Sequence, residues 1–414
     1  MDVSRRNLLR GALAGSVGTA VTGGMLVAGA RVDADADASA DATQAAPAQV
    51  PFHGVHQAGI LTPEPHQRYS THAALDVTAA SKAELAELFQ TITDRARFLT
   101  SGGTPPDLGV GSPPSDSDIL GPAVPADGLT VTLSAGPTLF DDRFGLTASK
   151  PRYLSPMRTF PNDALEDAWC GGDLMLQLCG NNPDTVHHAL RDITKHTRGG
   201  MQPRFRMDGF VSPPRPSGTP RNLLGFKDGI SQPDGTELRQ LAWVTEASGE
   251  PRWATAGSYH VVRLIRMLIE FWDRVSINEQ QNMFGRFRDS GATLDSTTGN
   301  EFTPPDYHAD PQGNVIPLDS HIRLANPRTE KSDPSRIYRR PYNYDLGFDE
   351  NGNVQCGLIF VCFQQDVRKQ FEAVQTRLID EPLTDYIQPF GGGYYFALPG
   401  VRNTSDYYGR ALLA

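Results

Sequence analysis

Over residues 78–99 (TAASKAELAELFQTITDRARFL) the apolar positions Leu85, Leu88, Phe89 and Ile92 fall at helical spacing. Ser81 with Glu84 three residues on has the form of an N-terminal cap, so a helix is predicted there. Segments 128–136 (GLTVTLSAG) and 172–180 (GDLMLQLCG) read as strands, and Asn182-Pro183-Asp184 opens a second helix running through His188 and Ile193. The same grammar returns late in the chain, where CGLIFVCFQQDVRKQFEAVQTRL (356–378) is a strand running into a helix. Residues 257–267 (GSYHVVRLIRM) suit a long strand that is apolar on both faces and so covered on both. Each half therefore predicts an α+β unit with an antiparallel sheet and helices on one face.

Ser212 to Pro220 (SPPRPSGTP) carries four prolines in nine residues and reads as a linker, which places a boundary between a first domain at 50–214 and a second at 215–414. A chain of 414 residues is long enough for two such cores. Residues 1–30 start basic, continue with a Gly- and Ala-diluted apolar stretch and end in small residues, which is the form of a signal peptide rather than a membrane anchor. Ser4-Arg5-Arg6-Asn7-Leu8-Leu9 fits a twin-arginine export signal, which implies passage through the twin-arginine translocase as a folded protein and a periplasmic or extracellular destination. Folded export favours a chain that takes up a cofactor before it leaves. Residues 31–49 are acidic, small and low in complexity, and are expected to form a disordered leash.

Loss of residues 1–30, which carry Asp2, Arg5, Arg6 and Arg10, takes the formal net charge from −10 to −12. So acidic a protein is a poor partner for nucleic acid or an anionic membrane. The four cysteines, Cys170, Cys179, Cys356 and Cys362, show no C-x-x-C or C-x-x-C-H spacing, so covalent haem attachment and zinc ribbons are not indicated. Cys179, Cys356 and Cys362 lie in apolar runs and read as small buried hydrophobes.

Three constellations could carry chemistry. Gly225-Phe226-Lys227-Asp228-Gly229 holds a carboxylate between glycines, where backbone can approach a flat ligand, although such a motif alone is more often a tight turn capped by the aspartate. His321 is followed by Arg323 and Arg328, cations that could pair with propionates. Arg339-Arg340 sits among Tyr338, Tyr342 and Tyr344 and alone would read as a solvated basic patch.

Taken in order, GFKDG, HIRLANPR (321–328) and the IYRR arginine resemble the dye-decolorizing peroxidase family, specifically its exported branch that includes the deferrochelatases. The resemblance extends through HQAGI (56–60), GPTLFDDRFGL (136–146), GDLMLQLCG, GSYHVVRLIRM and GGGYYFALPG (391–400), nearly the whole chain after the signal. It implies two ferredoxin-like domains with one haem b per chain, held mainly by the C-terminal one. It places the proximal iron ligand at His321, the distal acid-base at Asp228 and the distal arginine at Arg339, with further haem contacts from Gly229, Ile230, Ser231, Asn326, Pro327 and Arg328. A neutral imidazole below the iron leaves the opposite side open to peroxide. Asp228 would take and return the peroxide proton, and Arg339 would stabilise the charge on the departing oxygen. A carboxylate as base implies activity weighted to acid pH.

Asp366 is the expected carboxylate partner of His321, with Asp319 and Asp345 as alternatives, because a proximal histidine usually donates its second N–H. Tyr338, Tyr342, Trp253 and Trp272 are candidate surface relays for substrates too bulky to reach the haem. Some branches carry an asparagine two residues beyond the distal arginine; here that position is Pro341, so Asp228 and Arg339 would act without it. Three functions follow: peroxidation of dyes or phenolic compounds with hydrogen peroxide and a small aromatic reductant; release of iron from haem as a substrate, leaving the porphyrin intact; or non-catalytic haem binding. The distal acid-base pair favours turnover over carriage. A homo-oligomer is left open.

Overall fold

The computed structural model describes residues 48–414; the segment read from sequence as a signal peptide (1–30) and most of that read as a leash (31–49) lie outside the described residues. Nine strands form one antiparallel sheet: β1 (Tyr69–Val77), β2 (Thr130–Ala135), β3 (Leu174–Gly180), β4 (Met201–Phe210), β5 (Ser258–Met267), β6 (Tyr338–Arg339), β7 (Tyr342–Phe348), β8 (Val354–Gln364) and β9 (Ile387–Ala397). The first half runs β1, helix α1 (Lys82–Ser101), β2, β3, helix α2 (Pro183–His196), β4, with spatial order β2-β3-β1-β4. The second half repeats it, with spatial order β7-β8-β5-β9. Both are ferredoxin-like, as the resemblance implies, and each is the α+β unit that the recurring strand-to-helix pattern predicts.

The two half-sheets close on each other. β4 meets β7 at Phe210–Asn343, and β9 meets β2 at Ser134–Ala397 and Ala135–Phe396, so eight strands form a ring without a free edge. β6 continues the register of β7 against β8, with Tyr338 opposite Phe363, Arg339 opposite Cys362 and Tyr342 opposite Ile359. Pro341, which has no N–H, interrupts what is otherwise one strand.

Alternation along the strands feeds two cores. Leu174, Leu176 and Leu178 of β3 pack with Leu85, Leu88, Phe89 and Ile92 of α1, while Met175 and Cys179 turn into the ring with Val262, Ile359, Phe363 and Tyr395. Each such large side chain removed from water stabilises the fold by about 1.5–3 kcal/mol. α1 starts where its sequence predicts, with Ser81 Oγ accepting from Glu84 N at 3.2 Å and Glu84 Oε2 accepting from Ala80 N at 2.9 Å. β5 is buried along most of its length, as its two apolar faces require. All four cysteines are free; Cys179, Cys356 and Cys362 are buried and Cys170 is half-buried. No helix among the described residues is long and apolar enough to cross a membrane.

Candidate active site

The crossover between β5 and β7 is much longer than its counterpart in the first half, and it shapes a cavity of about 250 Å³ against the second half-sheet. The helix Ile277–Phe284, capped by Ser276 Oγ on Glu279 N at 3.2 Å, ends in left-handed Gly285. A Cβ there would come within 2.7 Å of Ile322, so glycine lets this turn lie on the short helix His321–Ala325. His321 is thereby set in the cavity wall, with the Phe284 ring 6.0 Å from its own.

The His321 Nδ1 atom lies 2.6 Å from Glu381 Oε2, a carboxylate buried to 3 % side-chain exposure. Burial alone would lower the His321 pKa, but the Glu381 charge and hydrogen bond outweigh it and the net direction is up. With Nδ1 occupied, Nε2 remains for a ligand. The partner expected from sequence, Asp366, is engaged elsewhere: its Oδ1 accepts from the backbone of Arg368 at 3.0 Å and Lys369 at 3.3 Å, as a helix-start carboxylate does. Asp319 and Asp345 do not fill the role either, since the contact belongs to Glu381.

The Gly225–Gly229 turn is fixed from both flanks. Asp228 N donates to Pro220 O at 2.9 Å, and Asn222 Oδ1 accepts from Leu224 N and Phe226 N. Lys227 forms a buried ion pair with Glu301, which also accepts from Thr219 N at 2.6 Å. Asp228 Oδ1 meets Arg339 Nη1 at 3.2 Å, and Arg339 Nη2 donates to Ile230 O at 2.6 Å. The backbone of Arg339 is held by the Gln232 side chain on both sides: Arg339 N donates to Gln232 Oε1 at 3.1 Å, and Gln232 Nε2 donates to Arg339 O at 2.6 Å. Asp228 and Arg339 lie near enough to His321 to act on its titration.

Of the residues singled out from sequence, Asp228, Gly229, Ile230, Ser231, His321, Asn326, Arg328 and Arg339 all line this one cavity. Pro327 is half-buried between two of them and is not part of the wall. Arg323 is not a free cation: it donates to Asp310 O at 2.7 Å and Ile316 O at 2.9 Å and lies over the Tyr307 ring. Three of the four suggested surface relays are buried, Tyr338 at 4 %, Tyr342 at 1 % and Trp272 at 2 % exposure, so none of these meets a dye at the surface. Trp253 is partly buried and donates to Ser149 O at 2.8 Å. Glu381, Glu301 and Arg286 have no motif around them to single them out; Gln232 directly follows the Asp228–Ser231 stretch, and that adjacency is the signal that could have found it.

The lining fits a flat, largely apolar dianion. Leu358, Ile265, Leu383, Ile387 and Phe284 supply the apolar walls. A Cβ on Gly229, at φ +100°, would project into open space, leaving room for a ring against the backbone. Arg286, Arg328 and Arg339 bring positive charge to the cavity. Arg286 donates only to the carbonyls of Gly291 and Glu301, and burial together with Arg328 and Arg339 holds its pKa down to about 10. Arg286 is buried without a carboxylate in a salt bridge among the described residues, while Arg339 is half-buried and paired with Asp228 and Arg328 is exposed, so the buried cation calls for an anion. Arg263, also in the wall, is already neutralised by Asp163 and lies over Phe160. A haem, apolar in its ring and anionic in its propionates, satisfies both requirements.

Comparison with known proteins agrees. Residues 57–211 match the Dyp-type peroxidase, N-terminal, family and residues 219–402 the Dyp-type peroxidase, C-terminal, family. The chain belongs to the Dyp-type peroxidases, enzymes that work with haem. It is 49% identical to the deferrochelatase of Escherichia coli over 90% of this chain and 91% of that protein, and 47% identical to that of Shigella flexneri over 100% and 97%. Among solved structures it is similar to the DyP-type peroxidase from Cellulomonas bogoriensis (35% identity, 88% of this chain and 98% of that one, TM-score 0.78). It is similar also to ferric DtpA from Streptomyces lividans (32% identity, 88% and 97%, TM-score 0.78).

Proposed function

We propose that the protein is a peroxidase of small aromatic compounds in which His321 holds the haem iron and Asp228 and Arg339 act on hydrogen peroxide. The observation that carries this reading is the direct Asp228–Arg339 contact in the same cavity as a histidine whose Nδ1 is already committed to a carboxylate. The haem, when bound, supplies the iron that accepts peroxide and the ring that stores oxidising equivalents.

The chain's residues do the rest. Glu381 fixes the His321 tautomer and keeps the ring electron-rich. The Asp228 carboxylate takes the first peroxide proton and returns it to the leaving oxygen, acting as base and then acid. Arg339, always charged, stabilises the negative charge developing on that oxygen. Its Ile230 and Gln232 bonds hold it in place, so little reorganisation is needed when charge appears. Gly229, Ile230, Ser231, Asn326 and Arg328 would contact the haem, Arg328 with Arg286 on its propionates.

Removal of iron from haem is a second reading, favoured by relatives named deferrochelatase that match this chain along its whole length at 47% identity. There haem is substrate, and the same arginines would hold the porphyrin as the metal leaves. Ser4-Arg5-Arg6 and the segment after it support export through the twin-arginine route.

Stopped-flow absorption of the haem-loaded protein with peroxide tests the first reading. Asp228→Ala and Arg339→Leu are expected to slow the peroxide-induced spectral change by about 100-fold or more, and His321→Ala to lose haem. A wild type whose haem spectrum ignores peroxide, while haem incubated with it yields iron-free porphyrin fluorescence, replaces the first reading with the second.

A further inference from the structure

Beside the haem cavity lies a second one of about 240 Å³. Asn222, Asp228, Gly229, Arg339 and Leu358 form a wall common to both. One water needs on the order of 10–15 Å³ of such space, so this cavity is too large to serve peroxide alone. Its sides are flat and stiff: Pro65 and Phe210 come from the first half of the chain, Pro220 and Pro341 from the second.

Beside the donors Arg221 and Arg339, three of its lining residues offer hydrogen-bond acceptors. The Asn343 amide spends its Nδ2 on Ser212 Oγ and Arg221 O, both at 3.1 Å, while its Oδ1 is buried with no partner. Glu64 takes the Tyr338 hydroxyl on Oε1, leaving Oε2. The His66 ring meets the edge of Tyr342 at 5.6 Å, and burial followed by the Arg340 charge lowers its pKa to about 3, so it stays neutral and offers an acceptor nitrogen. Flat walls, unpaired acceptors and the distal pair as a boundary describe a seat for a hydroxylated ring.

We propose that this second cavity binds the reducing substrate, a single-ring phenol or hydroquinone, with its hydroxyl toward Glu64, His66 and Asn343 and its ring near the Asp228–Arg339 wall. The inference rests on the peroxidase reading and locates its reductant. In each cycle two phenols are consumed in turn. Each loses one electron to the peroxide-oxidised holoenzyme and its hydroxyl proton to the Glu64 carboxylate, which gives it up to solvent before the next phenol binds, and leaves as a phenoxyl radical; the second water draws its two protons from solvent. The balance is H2O2 + 2 ArOH giving 2 H2O + 2 ArO•.

Calorimetric titration of the resting, haem-loaded protein with 2-methoxyphenol tests the site without turnover, with 1,2-dimethoxybenzene as the analogue lacking a hydroxyl. The wild type is expected to bind 2-methoxyphenol at least tenfold more tightly than the analogue. Ser212→Phe, which fills the cavity, and His66→Phe, which keeps the ring but removes its nitrogens, are each expected to weaken binding and raise KM for 2-methoxyphenol about tenfold. In both, the phenol-free reaction with peroxide should slow by less than twofold. Unchanged binding and KM in both variants overturn the proposal. So does an equal slowing of the peroxide step, which would make the cavity the way in for peroxide. A wild type that binds 2-methoxyphenol but does not react with peroxide overturns the peroxidase reading and leaves the site standing.

Discussion

The contact between His321 and Glu381 shows what a single residue decides. A carboxylate that is nearly out of water sets both the tautomer and the basicity of the ring that faces the haem cavity. Glu381→Ala removes it while the helix His321–Ala325 keeps its seat against Gly285. Haem transfer to apomyoglobin is expected to run about 10- to 100-fold faster for this variant than for the wild type. Sequence brought His321 forward because contiguous neighbours surround it, but its partner stands 60 residues away in a loop with no motif. Asp366 was the reasonable alternative, being acidic and at a strand end; in the structure that same strand end starts a helix, whose N–H groups claim the carboxylate. Arg323 likewise looked free only because Asp310 O and Ile316 O cannot be seen to approach it from the order of residues.

Among elements, those with local signals were legible: α1 with its Ser81 cap, β3 with its apolar run, α2 with Pro183 at its first position. What local signals do not carry is how one element holds another. β6 is short, yet the arginine on it is placed because Gln232 supplies the two backbone bonds that a neighbouring strand would. In Gln232→Ala the peroxide reaction is expected to slow about tenfold, with haem affinity within twofold of wild type, in paired stopped-flow and haem titrations. α2 is tied to the loop before β2 by His188, whose Nε2 lies 2.8 Å from Asp116 Oδ2. Burial alone would raise the Asp116 pKa, but Asp118 N, His188 and Ser117 N together bring it below the ordinary value. Its stabilisation is therefore complete above the unfolded carboxylate pKa and is lost as pH falls through the depressed one. Melting curves should show Asp116→Asn less stable than wild type at pH 7, with the difference shrinking as pH drops below about 4.

For the molecule as a whole, ring closure is the property that sequence concealed. Each half announces two of its strands, but the joining pairs, Phe210–Asn343, Ser134–Ala397 and Ala135–Phe396, lie on strands that sequence left unread or are few and carry no pattern of their own. Residues 50–214 produced alone would expose two open strand edges and the inner faces of Met175, Cys179, Phe205 and Met207. That fragment is expected to aggregate or lack a cooperative melt, by size-exclusion chromatography and near-ultraviolet circular dichroism; co-expression with residues 215–414 should rescue it. Inside the ring Phe363 is fully buried and stacked on His260 at 4.5 Å. Phe363→Ala should cost about 3–5 kcal/mol of unfolding free energy by denaturant titration.

Each half also lends its fourth strand to the second strand of the other, so two copies of either half would suffice to close such a ring. The scaffold is a symmetric object carrying an asymmetric load. In the first half the crossover after the first strand contains α1, a continuous helix that fills the space against the sheet with its own side chains. In the second half the matching crossover breaks into short pieces, and side chains on it line the cavity. The capacity for chemistry is thus shared among three stretches of the chain, residues 268–341, the Asp228 turn and the segment 371–387 that carries Glu381. Grafting all three onto another closed pair of ferredoxin-like sheets is the smallest transplant that would carry the cavity with it.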